Sequence, residues 1–168
     1  LSVVSSDYGD DPELVRRYKL GETSKVHQVG FRGDNPKWII EGLKANRAVQ
    51  IASTAEAGAQ GVEVNFLNRK LFLTSGWVRL AMMTGAIILP TFIERQPETH
   101  RQEIHILPPF ELQKGRGRTE RIGNSAQALL DIYEPVYRCR PELVDWMSWM
   151  NRLTEAEEHF NSRRVSVG

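Results

Sequence analysis

The sequence predicts a mixed α/β fold in which a largely parallel sheet is flanked by helices. Three observations carry that expectation. Strand-like and helix-like segments alternate through the first half of the 168-residue chain. A nearly continuous apolar run at 86–93, AIILPTFI, has the composition of a strand covered on both faces. After one more strand the chain reads as helices, the first of them long, with Ala126, Leu129, Leu130, Tyr133 and Val136 at core spacing.

In chain order, residues 1–5 read as a short strand. Asp10-Asp11-Pro12 starts a helix, with acids ahead of a proline in the first turn, and Gly21 stops it. A strand at 26–31 is broken by Gly30 and Gly33. Asp34-Asn35-Pro36 opens a second helix carrying Trp38, Ile39, Ile40 and Leu43, and 48–52 follows as a strand. The glycine- and alanine-rich stretch 55–61 has no period and reads as a loop. Residues 62–66 and 70–73 flank Leu67-Asn68-Arg69 as a hairpin. Thr74-Ser75-Gly76 caps a helix over 77–83, because a hydroxyl accepts an otherwise unpaired N–H, and Gly85 ends it. Residues 103–107 alternate and pair with 86–93 through the polar turn 96–101. The basic connector KGRGR at 114–118 leads into the long helix. Pro141-Glu142-Leu143 starts a last helix bearing Trp146, Met147, Trp149 and Met150. The expected organisation is one domain over 1–155 and a polar tail over 156–168, with no internal repeat.

Composition narrows the function. The net charge of +1 argues against a nucleic-acid binder driven by bulk charge. Cys139 is the only cysteine, so no intrachain disulfide forms; a reducing compartment is the simpler reading, and the thiol reads as buried or inert. No apolar run reaches the roughly 18 residues that a spanning helix needs, and no signal peptide opens the chain. The sequence begins at Leu1, not methionine, and runs straight into a strand. That is the pattern of the interior of a longer protein, so an N-terminally truncated fold is expected.

Residues 75–95, SGWVRLAMMTGAIILPTFIER, then a polar turn and EIHILPPFEL, resemble the lysophospholipid acyltransferase superfamily, in its bacterial lipid A biosynthesis (lauroyl/myristoyl) branch. The residues that carry the likeness are Phe66-Leu-Asn-Arg69, Thr74, Arg79-Leu80-Ala81, Thr84-Gly85-Ala86 and Leu89-Pro90, with Pro141-Glu142 ahead of a tryptophan-bearing helix. The resemblance covers most of the chain up to about Met150 and is most specific from Asn65 to Pro109. It implies a glycerolipid acyltransferase-like fold at the cytoplasmic face of the inner membrane, peripheral or held by a missing N-terminal segment. It also implies transfer of a fatty acyl chain from an acyl-ACP or acyl-CoA thioester to a hydroxyl of a glycolipid or lysophospholipid. The implied partners are the lipid acceptor, the acyl donor and a membrane surface, with no nucleic acid. No cofactor or metal is implied, since the thioester is a co-substrate.

Two departures qualify it. The family's histidine with an acid four residues on is not in this chain. His27, His100, His105 and His159 are followed at that distance by Phe31, Ile104, Pro109 and Arg163. The motif belongs upstream, so no catalytic residue is expected here and the isolated fragment is expected to be inactive. At 53–56, where the branch places an aspartate, the chain has Ser-Thr-Ala-Glu.

What this chain offers the reaction is a place for negative charge. Arg69 and Asn68 at the hairpin tip, Thr74, Ser75 and Gly76 opening a helix, and Arg79 one turn in are the candidate substrate- and phosphate-binding residues. A helix N-terminus presents unpaired N–H groups and a favourable dipole. Each has a plainer reading beside it: Arg69 as a solvated turn residue, the Thr74 turn as a cap only, Arg79 as an ion-pair partner. His100 and His105 read as surface histidines. The 114–118 loop is either solvated or faces lipid phosphates, and the Trp146–Met150 stripe either packs on the sheet or meets a membrane. A non-catalytic phosphate- or lipid-binding domain of the same fold is the alternative function. A generic nucleotide-binding domain is weaker, because no glycine-rich phosphate loop is present.

Overall fold

The computed structural model describes residues 2–5, 28–31, 37–51, 61–99 and 101–143. The helix expected after Pro12, most of the 55–61 loop, His27, His100, His159, the 146–150 stripe and the tail lie outside the described residues.

Strands β1 (Ser2–Ser5), β2 (Gln28–Phe31) and β3 (Val49–Ile51) form a parallel sheet in the order β2-β1-β3. Parallel neighbours need a crossover, and α1 (Lys37–Lys44) lies between β2 and β3, with Ile39 buried. Strands β4 (Gly61–Phe66) and β5 (Arg69–Thr74) form an antiparallel hairpin. Its turn residues Leu67 and Asn68 have φ of 50° and 64°, the left-handed pair that matches the twist of a two-residue hairpin. Leu67 accepts that conformation while packing against the core.

Helix α2 (Gly76–Thr84) follows, stopped by Gly85, which has φ 69° and donates its N–H to Ala81 O at 2.9 Å. Only glycine takes that backbone without penalty. Strands β6 (Thr91–Arg95) and β7 (Gln102–Ile106) make a second antiparallel hairpin, and the Ile88–Phe110 bridge continues beyond it. Helix α3 (Arg118–Cys139) closes the domain, with a 3-10 turn at Pro141–Leu143.

Three expectations need correction. The strands do not join one largely parallel sheet; among the described residues they divide into one parallel sheet of three and two antiparallel hairpins. Alternation marks a strand but does not name its partner. The run at 86–93 is not covered on both faces: only its end is regular strand, and exposure alternates along it. Cys139 is exposed, not buried.

The core forms where α3 crosses the β4–β5 hairpin. Inward residues Val64, Phe66, Leu71 and Leu73 meet Ile122, Ala126, Leu129, Leu130 and Tyr133 of α3 and Trp77 and Val78 of α2. Leu71, Val78 and Ala126 have no exposed surface at all. Side-chain amides fix the register. Gln127 accepts from Asn65 N–H at 2.7 Å and donates back to Asn65 O at 2.8 Å, while Glu134 accepts from Leu67 N–H at 3.3 Å. The loop ahead of α3 is tied down likewise. Buried Ser125 accepts from Gln113 N–H at 2.9 Å. At Gly115 a Cβ would stand 2.5 Å from the Arg121 nitrogen, so no side chain fits.

Helix α3 also holds the second hairpin. Tyr133 accepts from Thr91 N–H at 2.9 Å and donates to Thr91 O at 3.1 Å. Tyr137 stacks on Tyr133 at 5.8 Å and meets Phe66 edge-on. Burial pushes both phenols above their ordinary titration range; at Tyr133 the Thr91 backbone bond opposes that shift and Tyr137 adds to it.

Leu71→Ala opens a cavity under α3 and is expected to cost about 3 kcal/mol in urea unfolding. Lys70→Ala, which removes the exposed Lys70–Glu63 pair at 2.6 Å, is expected to cost under about 1 kcal/mol. The tyrosines set an alkaline limit. Their folded pKa values are raised, so the fold binds more protons than the unfolded chain once pH passes about 10. Stability therefore holds below that point and declines above it. Tyr137→Phe is expected to flatten the decline in unfolding curves taken on either side of it.

Candidate functional site

A cleft of about 430 Å³ lies between the parallel sheet, α2, the 86–93 segment and α3. Leu43 and β3 residues Val49 and Ile51 form one wall. Trp77, Leu80 and Ala81 come from one side of α2, since positions three and four apart share a helix face. Residues 86–93 run along its length, and Leu129, Tyr133 and Tyr137 of α3 close it opposite β3. Among the described residues every polar side chain in the lining is uncharged: Gln50, Trp77, Thr91 and the two tyrosines. The volume lies in the range of small-molecule sites, and the wall is uncharged, with polar and apolar surface in similar shares.

The structure does not bring the predicted anion-binding residues together. Asn68 and Arg69 lie at the turn of the β4–β5 hairpin, where Arg69 pairs with Phe66; Thr74 lies at the opposite end, paired with Gly61. Five strand steps separate Arg69 from Thr74, about 17 Å at the usual rise. Odd positions of β5 share a face with buried Leu71 and Leu73, whereas Thr74 is even, so the two side chains also leave the strand on opposite faces. Ser75 is buried at the N-cap of α2, but its side chain makes no capping bond there. Gly76 is exposed on the first turn and Arg79 is half-buried one turn on. Its Nε is shielded from solvent and has no hydrogen-bond partner among the described residues. None of the six lines the cleft. The motif residues that do line it are their neighbours: Leu80, Ala81, Ala86, Leu89 and Pro90.

A polar cluster beside the cleft was invisible in the sequence. His105 stacks face to face on Phe92 at 4.6 Å. Its Nε2 lies 3.2 Å from Glu94 Oε2, within ion-pair range but off the line of a hydrogen bond. Arg140, just past α3, donates to the other oxygen of Glu94. Strand pairing of Phe92 with His105 and of Glu94 with Glu103 creates this cluster, and no spacing along the chain announces it. It ties the hairpin's inner face to the end of α3. Among the described residues no group of three or more His, Cys, Asp or Glu side chains converges as a metal site.

A comparison with curated proteins finds no match. The family model for bacterial lipid A biosynthesis acyltransferases matches residues 20–154, a span that includes all of the described structure from β2 onward and every residue of the cleft. The chain belongs to the bacterial lipid A biosynthesis acyltransferase family.

Proposed function

We propose that this chain forms the acyl-binding part of a membrane-associated acyltransferase, and that the cleft holds the fatty chain during transfer. The observation that carries this reading is that the family-like motif residues Leu80, Ala81, Ala86, Leu89 and Pro90 are themselves cleft wall. In the proposed reaction the hydroxyl oxygen of a glycolipid or lysophospholipid attacks the carbonyl carbon of an acyl-ACP or acyl-CoA thioester. The C–O bond forms, the C–S bond breaks, the hydroxyl proton goes to a general base and the thiolate is protonated on leaving. That base is proposed to lie outside these 168 residues, because no histidine of the chain has an acid four places on. An uncharged wall grips the chain without competing for the reacting carbonyl. Acceptor phosphate is proposed to lie on the Gly76–Arg79 side of α2, apart from Arg69. Peripheral attachment at the cytoplasmic face of the inner membrane belongs to the same reading. No helix among the described residues is long and apolar enough to cross a membrane.

A non-catalytic lipid-binding domain would use the same cleft. The lack of a base in this sequence favours it, and acyl transfer by the product of the full open reading frame separates the two.

Ala86→Trp places a large side chain into the cleft from a half-buried loop position. It is expected to weaken binding of a fluorescent dodecanoyl probe about tenfold or more, with little change in melting temperature. Undiminished binding would remove the cleft from the reading. The isolated chain is expected to show no acyl transfer above background in a thin-layer assay of labelled lipid product. Turnover that persists with all four histidines replaced by alanine would contradict histidine base catalysis.

A further inference from the structure

From residue 86 to residue 95 exposure alternates without a break: even positions are buried or half-buried, with Ile88 and Phe92 packed on the core, and odd positions face outward. The outward row reads Ile87, Leu89, Thr91, Ile93, Arg95. Strand pairing sets Ile106 beside Thr91, Ile104 beside Ile93 and Gln102 beside Arg95. Ile87 is 76 % exposed, Ile104 and Ile106 are 64 % each, Leu89 is 50 % and Ile93 is 49 %. Ile93, Ile104 and Ile106 on the hairpin and Ile87 and Leu89 leading into it make an exposed aliphatic row, the kind of surface that marks an interaction site. The row carries no carboxylate, and its only charge is Arg95, at the end away from Ile87.

We propose that this outer face of the β6–β7 hairpin is the surface by which the protein lies on a lipid bilayer, with the cleft mouth held against the acyl region. The inference rests on the acyl-binding reading of the cleft and assigns it an orientation. Two observations favour lipid over a protein occupant. The first is continuity: Ile87, Leu89 and Ile93 belong both to the exposed row and to the cleft wall, so a chain leaving the bilayer stays on apolar surface as far as Tyr133. The second is charge. Isoleucines ending in a single arginine, with no acid among them, match a bilayer edge, where aliphatic groups sink and a guanidinium reaches back to the phosphates. The two strands pair with each other, and the outward backbone groups of Thr91 are bound to Tyr133.

The test uses the 168-residue chain with vesicles of phosphatidylcholine, alone and mixed with phosphatidylglycerol, read by co-sedimentation. The wild-type chain is expected to bind both, and the anionic vesicles more tightly. Ile104→Asp with Ile106→Asp is expected to weaken binding about tenfold or more. Ile132→Asp, a charge at an exposed apolar position on α3, is expected to leave it unchanged. Each variant is checked for an unaltered melting temperature, and Ile104→Ser with Ile106→Ser serves if the aspartates unfold the hairpin. Equal loss with Ile132→Asp, or no loss with the hairpin variants, overturns the proposal. So does a wild-type dimer in sedimentation velocity that the hairpin variants dissociate, which assigns the face to a second copy. The dodecanoyl probe, measured without vesicles, keeps the two readings apart. A chain that binds the probe but no vesicles loses only the orientation; one that binds neither loses the acyl-binding reading as well.

Discussion

Burial of one face of the β4–β5 hairpin under α3 is the constraint on which the rest of the molecule hangs. Leu71 and Leu73 on one strand and Val64 on the other are almost wholly enclosed, and Ala126 of α3 is small enough to let helix and hairpin approach closely. Once α3 is seated, its next turns are committed. Leu129 and Tyr133 become the floor of the cleft, Tyr137 stacks beside them, and the Tyr133 hydroxyl reaches the second hairpin. The Gln127–Asn65 clasp adds direction to that burial. Hydrophobic area alone does not set the rotation of a helix over a sheet, whereas a paired amide with two bonds does.

What the sequence made legible was local. The hairpin could be read because Val64, Phe66, Leu71 and Leu73 recur at period two around Asn68, and α2 because Gly85 stands where a left-handed residue is needed. What it hid was non-local. Arg69 and Thr74 are five positions apart in the chain and looked like neighbours, but an extended strand turns that spacing into distance and sends the two side chains to opposite faces. The cleft depends on β3, the 86–93 segment and α3 approaching one another, which no single window encodes. The run AIILPTFI misled for a related reason: apolar composition says that a face avoids water, not whether protein or another apolar medium covers it.

The chemistry that follows is one of neutrality. Cations sit outside the cleft, among them Arg69 and Lys70 on the first hairpin, Arg79 on α2, Arg95, Arg140 and those of the 114–121 stretch, while the cleft lining among the described residues keeps uncharged groups only. Burial holds Tyr133 and Tyr137 in their protonated form well past neutral pH, so their rings add contact area without adding charge. A hydrocarbon chain entering it has no charge to desolvate along such a wall. An uncharged recess with cations outside it offers different surroundings to the two ends of an amphiphile.

The bond pair between Tyr133 and Thr91 has one more effect. Pro90 O accepts from Leu107, and Gln96 N–H donates to Arg101 O, so even-numbered backbone groups of β6 turn toward β7 and odd-numbered ones turn outward. At Thr91 those outward groups are an invitation to any extended chain in solution. A phenol that satisfies donor and acceptor at once acts as a one-residue substitute for a neighbouring strand. The same hydroxyl that shapes the recess thus closes the Thr91 position of that edge to another strand.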